Sequence, residues 1–352
     1  MRSPKVLTVG PSLKGTGGMA SVLCSYKRCI SGFHFSATNS CHGTFAGLFN
    51  LVGTLVKMPF CRMAGYNILH VHGCSGKSFI RKRFVMAWGR LLGFRIVFHC
   101  HGGGFVDFSE KYGAGRISHV LRKCSAVIVL GQYWKETFAR NFGVADAFIL
   151  PNIVEKPRKE PEYRTDISKD SPLRVVFLGT IARNKGIYDI VEALRRLRDE
   201  YEGRIEVTFA GDGEIDRLRE AIDNAGVGSM TKVVGKVLGE SKSRLLDSSD
   251  LMLLPSYYEG LPITLLEACA WGMPSVSTPV GSIAELIHDG VNGTLVEPGH
   301  PEQIAAALRK YVDNPELLAE HGSAARQAVA PHFPENVTAK LQEIYSFVSS
   351  KS

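Results

Sequence analysis

Along nearly the whole chain, short apolar runs alternate with longer stretches in which apolar side chains recur every three or four positions. The runs have the pattern of strands buried on both faces, and the periodic stretches that of amphipathic helices lying over them. In the N-terminal half this pattern predicts strands at residues 5–9, 67–72, 94–99, 126–130 and 147–150, with helices between them. The segment 154–172, VEKPRKEPEYRTDISKDSP, then breaks the rhythm with charges and three prolines and is predicted to be a linker. Strands resume at 173–179, 205–210, 232–234, 251–254 and 275–277, again separated by helices. Beyond Pro301 the pattern is helical only, and residues 336–348 predict a last amphipathic helix that packs back across the domain junction. The expected fold class is α/β: two doubly wound, Rossmann-like domains, with residues 1–160 as the first, 161–330 as the second and 331–352 as the returning helix.

Composition agrees with this division, because 352 residues at 45% apolar content suffice for two buried cores. The eight cysteines include no CxxC pair, and a chain of this length needs no disulfides, so a reducing compartment is expected. Met1 leads directly into a strand pattern without a signal-peptide apolar region, and no apolar run approaches the roughly 18 residues of a spanning helix. The expectation is a cytoplasmic protein, soluble or held only at a membrane surface.

Charge separates the halves. Residues 1–160 hold 22 Lys+Arg against 6 Asp+Glu, a net +16, whereas residues 161–352 hold 20 against 28, a net −8, within the overall +8. The N-terminal half therefore favours an anionic partner: a nucleoside diphosphate, the anionic face of a membrane, or an acceptor carried on lipid phosphate. A solvated basic face is the alternative. Nucleic acid is not expected, because no recognition motif accompanies the charge and the cluster Arg81-Lys82-Arg83 sits in an apolar helical pattern.

In doubly wound domains ligands gather where strand ends run into helix N-termini, so the chemistry is sought in those loops. The first strand is followed by Gly10-Pro-Ser-Leu-Lys-Gly-Thr-Gly-Gly18, in which Gly15, Gly17 and Gly18 allow close backbone approach and Lys14 adds a positive charge. The spacing is not GxGxxG, and both phosphate binding and a plain tight turn fit it. Gly73-Cys-Ser-Gly-Lys77-Ser78 has two residues between its glycines where a P-loop needs four, which excludes that reading. The pairs His70/His72 and His99/His101 each point to one side of a strand, but no Asp or Glu nearby completes a ligand set, so no metal is expected. His101, followed by Gly102-Gly103-Gly104, is the candidate to reach a bound substrate, with a hydrogen-bonded structural role as the alternative.

The strongest signal is the stretch from Asp250 to Pro274. A buried strand ends at Leu254, a loop carries Glu259, and Pro262 suits the first turn of the next helix. Glu267 then stands about 8 Å along that helix at the usual rise per residue. Two carboxylates beside a helix N-terminus suit a ligand with hydroxyls, which donate to carboxylates, and phosphate, which prefers amides. A nucleotide sugar has both.

At these residues the chain resembles the retaining glycosyltransferases of family 4. Glu259 to Glu267 forms the family's E-x7-E motif within PSYYEGLPITLLEACAWGMPSV, and the segment from Phe177 to Gly186 looks like its G-R-L-x-x-x-K-G loop. Ala210-Gly-Asp-Gly213 resembles its A-G-x-G turn, and Gly281 to Ile287 and Asp289 to Pro298 continue the likeness. Nearly all of 173–300 is covered. In the N-terminal half the resemblance rests on Gly17-Gly18 and His101-Gly102, which align with a glycine loop and an active-site histidine. The resemblance implies the GT-B fold, two Rossmann-like domains facing a cleft, with a nucleotide-sugar donor on the C-terminal domain and a glycan or lipid-linked acceptor on the other.

It also implies roles. Glu267 would hold the ribose hydroxyls, Glu259 the hydroxyls of the donor sugar, and the amides around Gly260, Leu261, Ile263 and Thr264 the phosphates or sugar. Lys185 would neutralise the diphosphate. Thr180 stands where the family has arginine, so Arg183 either supplies the missing contact or points into solvent. The family needs no divalent metal or other cofactor, and the chain has no Asp-x-Asp pair of the kind that holds one. A GT-B nucleotide-sugar epimerase and an inactive sugar-binding protein are the alternatives. An NAD-dependent oxidoreductase is disfavoured by the absence of a GxGxxG fingerprint.

Overall fold

The computed structural model describes residues 4–15, 17–40, 44–157, 159–164 and 166–350. Thr16 of the glycine loop, Cys41, and Arg158 and Thr165 of the charged segment lie outside them. The chain divides into two compact units, Met1–Val154 with Pro331–Ser352, and Glu155–Ala330.

The first unit carries a six-stranded parallel sheet of β1 (Val6–Gly10), β2 (His34–Ala37), β3 (Ile68–Gly73), β4 (Arg95–Cys100), β5 (Ala126–Val129) and β6 (Phe148–Ile149). Its order is β2-β1-β3-β4-β5-β6. Helices α1 (Gly18–Cys29), α2 (Thr44–Met63), α3 (Lys77–Leu91), α4 (Phe105–Tyr112), α5 (Ala114–Leu121) and α6 (Gln132–Phe142) cover it. β3 is buried at all six positions, with α3 and the C-terminal helix, Pro334–Ser350, both packed on it. Every strand predicted from the apolar runs is present; β2 is the addition. Its four residues, HFSA, are only half-buried at the sheet edge, so they carry no apolar run to read.

The second unit repeats the architecture with β7 (Leu173–Leu178), β8 (Ile205–Ala210), β9 (Thr231–Gly235), β10 (Leu251–Leu254), β11 (Ser275–Ser277) and β12 (Gly293–Leu295), in the order β12-β11-β10-β7-β8-β9. Helices α7 (Ile187–Tyr201), α8 (Ile215–Ala225), α9 (Glu240–Asp247), α10 (Ile263–Ala270), α11 (Pro301–Asp313) and α12 (Glu316–Ala328) complete it. α7 shows why such helices bind the sheet: Ile187, Ile190, Val191, Leu194 and Leu197 fall on one buried stripe. Each such side chain contributes about 1.5–3 kcal/mol by leaving water. β12, a three-residue edge strand containing glycine, was again not legible as an apolar run.

Among its described residues the charged segment between β6 and β7 has no helix or strand, and it is fastened to the second unit. Arg164 donates to Asp250 at 3.1 Å and to the carbonyls of Ser171 and Pro172. Asp250 also accepts from the backbone N–H and the guanidinium of Arg174. The aspartate that opens β10 thus ties that strand to the start of β7. Its side chain is only 5% exposed, so losing both arginines would leave an unpaired buried charge, at a cost of about 3–5 kcal/mol.

Candidate functional site

In the second unit the chain runs outward from β7 through β8 and β9, then returns to place β10 on the other side of β7. The loops leaving β7 and β10 diverge there, which is where doubly wound sheets hold ligands. The β7 loop carries Thr180, Arg183 and Lys185; the β10 loop carries Glu259.

These loops are locked together by backbone. The amide of Tyr257 donates to the carbonyl of Asn184 at 2.9 Å. Gly186 adopts φ +72° and lies so close to Pro255 that a Cβ would come within 2.2 Å of its carbonyl oxygen. Gly281, at φ +61°, supports the β10 loop from its other side; its Cβ would stand 2.3 Å from the carbonyl oxygen of Glu259. Only glycine satisfies both the dihedral and the space at these two positions. So held, Lys185 donates to the Glu259 carboxylate at 2.5 Å, and the Ser256 hydroxyl donates to the same oxygen at 3.0 Å. Both charged side chains are mostly shielded from water, 22% and 12% exposed.

Pro262 is the N-cap of α10, one residue before the helix rather than within its first turn, and Glu267 is the helix's fifth residue. Ile263 and Thr264 are its first two, half-buried, and amides at such positions have no partner within the helix. Gly260 and Leu261 are buried where the loop meets the helix. Glu267 accepts from Lys242 of α9, and burial pushes its carboxyl above the usual range, with the lysine offsetting part of the rise. Sequence reasoning missed Lys242: it precedes Glu267 by 25 residues on another helix, in a polar stretch with no distinguishing pattern.

Thr180 and Arg183 are exposed. Arg183 and Lys185 share one short 3-10 turn, yet they turn apart. Arg183 lines an open pocket with Tyr188, Glu214 and Arg217, while Lys185 meets Glu259.

The first unit has a second such point, where β1 and β3 diverge. Beside it Gly17 caps α1 and Gly18 begins it, both exposed. Gly17 has an ordinary φ of −84°, and a Cβ there would meet nothing within 4 Å, so packing does not demand glycine at this position. The two His-x-His pairs form a single cluster, because β3 and β4 place His72 directly beside His99. His101 donates from Nδ1 to Asn152 at 3.2 Å and accepts at Nε2 from His72 Nδ1 at 2.8 Å. Both ring nitrogens of His101 are therefore engaged within the chain. His70 Nδ1 pairs with the Tyr345 hydroxyl at 2.7 Å.

Among the described residues, the one His/Cys/Asp/Glu group compact enough to share a cation is His70, His72 and His99, whose ligand atoms lie within 4.8 Å of one another. His70 Nε2, His72 Nε2 and both nitrogens of His99 are buried without a hydrogen-bond partner among those residues. Burial lowers the pKa of His70 to about 3 and of His101 to about 4, the Asn152 bond opposing the fall at His101.

Two parallel doubly wound units with these strand orders define the GT-B glycosyltransferase fold, and solved structures agree. The chain superposes over 99% of its length on sucrose-phosphate synthase from Thermosynechococcus elongatus, at TM-score 0.76 and 17% identity, covering all of that chain. It superposes equally fully on the Anabaena protein HepE in complex with UDP and glucose, at TM-score 0.73 and 18% identity, again covering all of that chain. Residues 158–328, which lie within the second unit, match the family model for glycosyl transferases group 1. Among curated proteins, glycogen synthase of Mycobacterium tuberculosis is 27% identical over 232 residues, 65% of this chain and 55% of the relative. The amylovoran biosynthesis glycosyltransferase AmsK of Erwinia amylovora is 32% identical over 173 residues, 47% of this chain and 42% of the relative. The chain thus spans about half the length of these curated relatives.

Proposed function

We propose that this protein is a retaining glycosyltransferase that moves a hexose-type sugar from a nucleotide-sugar donor, a UDP-sugar, onto an acceptor hydroxyl in the assembly of a cell-surface polysaccharide or glycolipid. The observation that carries this reading is the pair of shielded carboxylates, Glu259 and Glu267, each with its own lysine, beside the N-terminus of α10 where β7 and β10 diverge. The match of this region to group 1 glycosyl transferases and the UDP-bound relatives of the same fold support it.

In this reading the Glu267 carboxylate accepts from the ribose hydroxyls and Glu259 from hydroxyls of the donor sugar, while the amides of Ile263 and Thr264 face the phosphates. Glu259 already holds Lys185 at 2.5 Å, so the ammonium is poised beside the sugar–diphosphate junction. Negative charge grows on the departing diphosphate, and a fixed cation there stabilises the transition state more than the ground state. Arg183, exposed on the same turn, is the second cation of the loop. The acceptor hydroxyl attacks on the face the diphosphate leaves and gives its proton to a phosphate oxygen, so no covalent adduct forms on Glu259. The positive charge on Lys185 does the work of a divalent ion, and none is required. In the first unit Gly17 leaves its backbone open to approach and Gly18 follows it at the start of α1, while His101, held by Asn152 and His72, is assigned to the acceptor side of the reaction.

Thermal unfolding with a panel of nucleotide sugars tests the assignment. A donor at 100 times its dissociation constant raises stability by about 2.7 kcal/mol, and Glu267→Ala should cut that shift to about half or less. An unchanged shift in that variant refutes the donor site. Donor turnover that proceeds equally well without any acceptor refutes transfer in favour of an epimerase.

A further inference from the structure

Helix α2 turns an apolar stripe outward. Phe45, Leu48, Phe49, Val52, Val56, Phe60 and Met63 are all exposed, Phe45 at 83%, Phe49 at 78% and Met63 at 84%. Their spacing of mostly three or four places them along one side of the helix, while Thr54, Met58 and Cys61 are buried. The stripe continues onto α3, where exposed Phe84 and Leu91 join Val52, Leu55, Val56 and Phe60 around an open apolar groove of about 790 Å³.

The ridge is braced. Pro59 lies inside α2 and has no N–H for the Leu55 carbonyl four residues earlier. The indole of Trp88 on α3 donates to that carbonyl at 3.1 Å, so the residue that breaks the helix bond also fastens the two helices together. An apolar surface of this extent on a braced element marks an interaction site.

Charge selects the partner. From Met1 to Val106 the chain contains 13 Lys+Arg and not one Asp or Glu. Cations border the ridge itself: the Arg83 guanidinium lies 4.7 Å from the centre of the Phe84 ring, and Arg90 is exposed next to Leu91. A second copy of this face would bring like charge against like. A leaflet rich in anionic lipid offers both an apolar layer for the aromatic side chains and phosphates for the arginines. No helix among the described residues is long and apolar enough to cross a membrane, so α2 would lie along the surface.

We propose that the α2–α3 ridge docks this unit onto the surface of an anionic lipid bilayer, with Phe45, Phe49, Phe60 and Phe84 entering the boundary between headgroups and acyl chains. This goes beyond the donor-site reading and does not depend on it, since donor binding and vesicle binding are measured separately.

Flotation of the full chain with phosphatidylcholine vesicles, with and without phosphatidylglycerol, tests it. Binding is expected to the phosphatidylglycerol vesicles, to weaken as salt is raised, and to fall at least about tenfold in Phe49→Ser/Phe60→Ser. Both side chains are exposed, so that variant should keep the unfolding temperature and donor affinity of the parent. Three results would overturn the proposal: equal binding to vesicles lacking phosphatidylglycerol, unchanged binding by the serine variant, or a parent chain that is dimeric in solution and becomes monomeric in the serine variant.

Discussion

Lys185 and Glu259, 74 residues apart, meet at 2.5 Å across the loops of the two adjacent strands at which the C-terminal sheet reverses its winding. The pair is set by backbone rather than by its own attraction, because the Tyr257–Asn184 bond and the seating of Gly186 on Pro255 hold the loops whether or not the charges are present. Removing either charge therefore tests chemistry more than folding.

Lys185→Ala should lower kcat for transfer by roughly 10²–10³-fold, the usual loss when one transition-state charge contact is removed. Glu259→Gln should likewise slow turnover while leaving affinity for the bare nucleoside diphosphate at least as tight as in the parent, since that ligand has no sugar and the lysine is released toward it. Steady-state rates with calorimetry on the diphosphate check both. A weakened diphosphate in Glu259→Gln would contradict the sugar-side assignment.

Glu267→Ala should weaken the donor by roughly tenfold to a hundredfold, the equivalent of about 1.5–3 kcal/mol for bonds to a charged group. Burial holds this carboxyl above the usual range, and only the ionised form accepts from both ribose hydroxyls. Donor affinity should therefore be full at high pH and decline as pH falls, starting higher than an ordinary glutamate would allow. In Glu267→Gln this decline should disappear from the Kd-versus-pH curve.

Gly281→Ala forces a side chain into φ +61° and against the Glu259 carbonyl. The strain costs about 1–3 kcal/mol and the clash moves the loop, so both Tm and donor affinity should drop. Gly290→Ala is the control: its φ is +70° but a Cβ would meet nothing within 4 Å, so stability should fall while donor affinity stays.

The histidine cluster should make the N-terminal unit labile to acid. His70 and His101 titrate at about 3 and about 4 in the folded chain, against an ordinary 6.5, so between those limits the unfolded chain binds more protons. Stability is then full above pH 6.5 and is lost as pH falls toward 4. Unfolding of the full chain across this range measures the slope. His99→Leu, which removes two buried nitrogens without partners, should make it shallower.

Activity should survive exhaustive treatment with EDTA, because Lys185 is proposed to supply the positive charge. A rate that collapses and returns on adding a divalent ion would overturn the metal-free proposal and redirect attention to His70, His72 and His99.

The strands and the two sheets were legible because each leaves a local mark, an apolar run or a helical period. β2 and β12 left none, being edge strands of three or four residues. The segment 154–172 had a linker's composition, but composition does not record that Arg164 would find Asp250 86 residues away. Pro262 stands at the N-cap of α10, one position before the first turn that its residue type predicts.

The sequence by itself determined the α/β class, the order of the elements and which loops carry carboxylates, since these follow from local periodicity and residue type. Only the tertiary structure decided the partners. That Lys185 serves Glu259 while Arg183 turns away, that Lys242 reaches Glu267, and that two His-x-His pairs merge into one cluster all depend on strand order and register. Those are fixed by how whole sheets bury their faces, and no stretch of neighbouring residues contains that information.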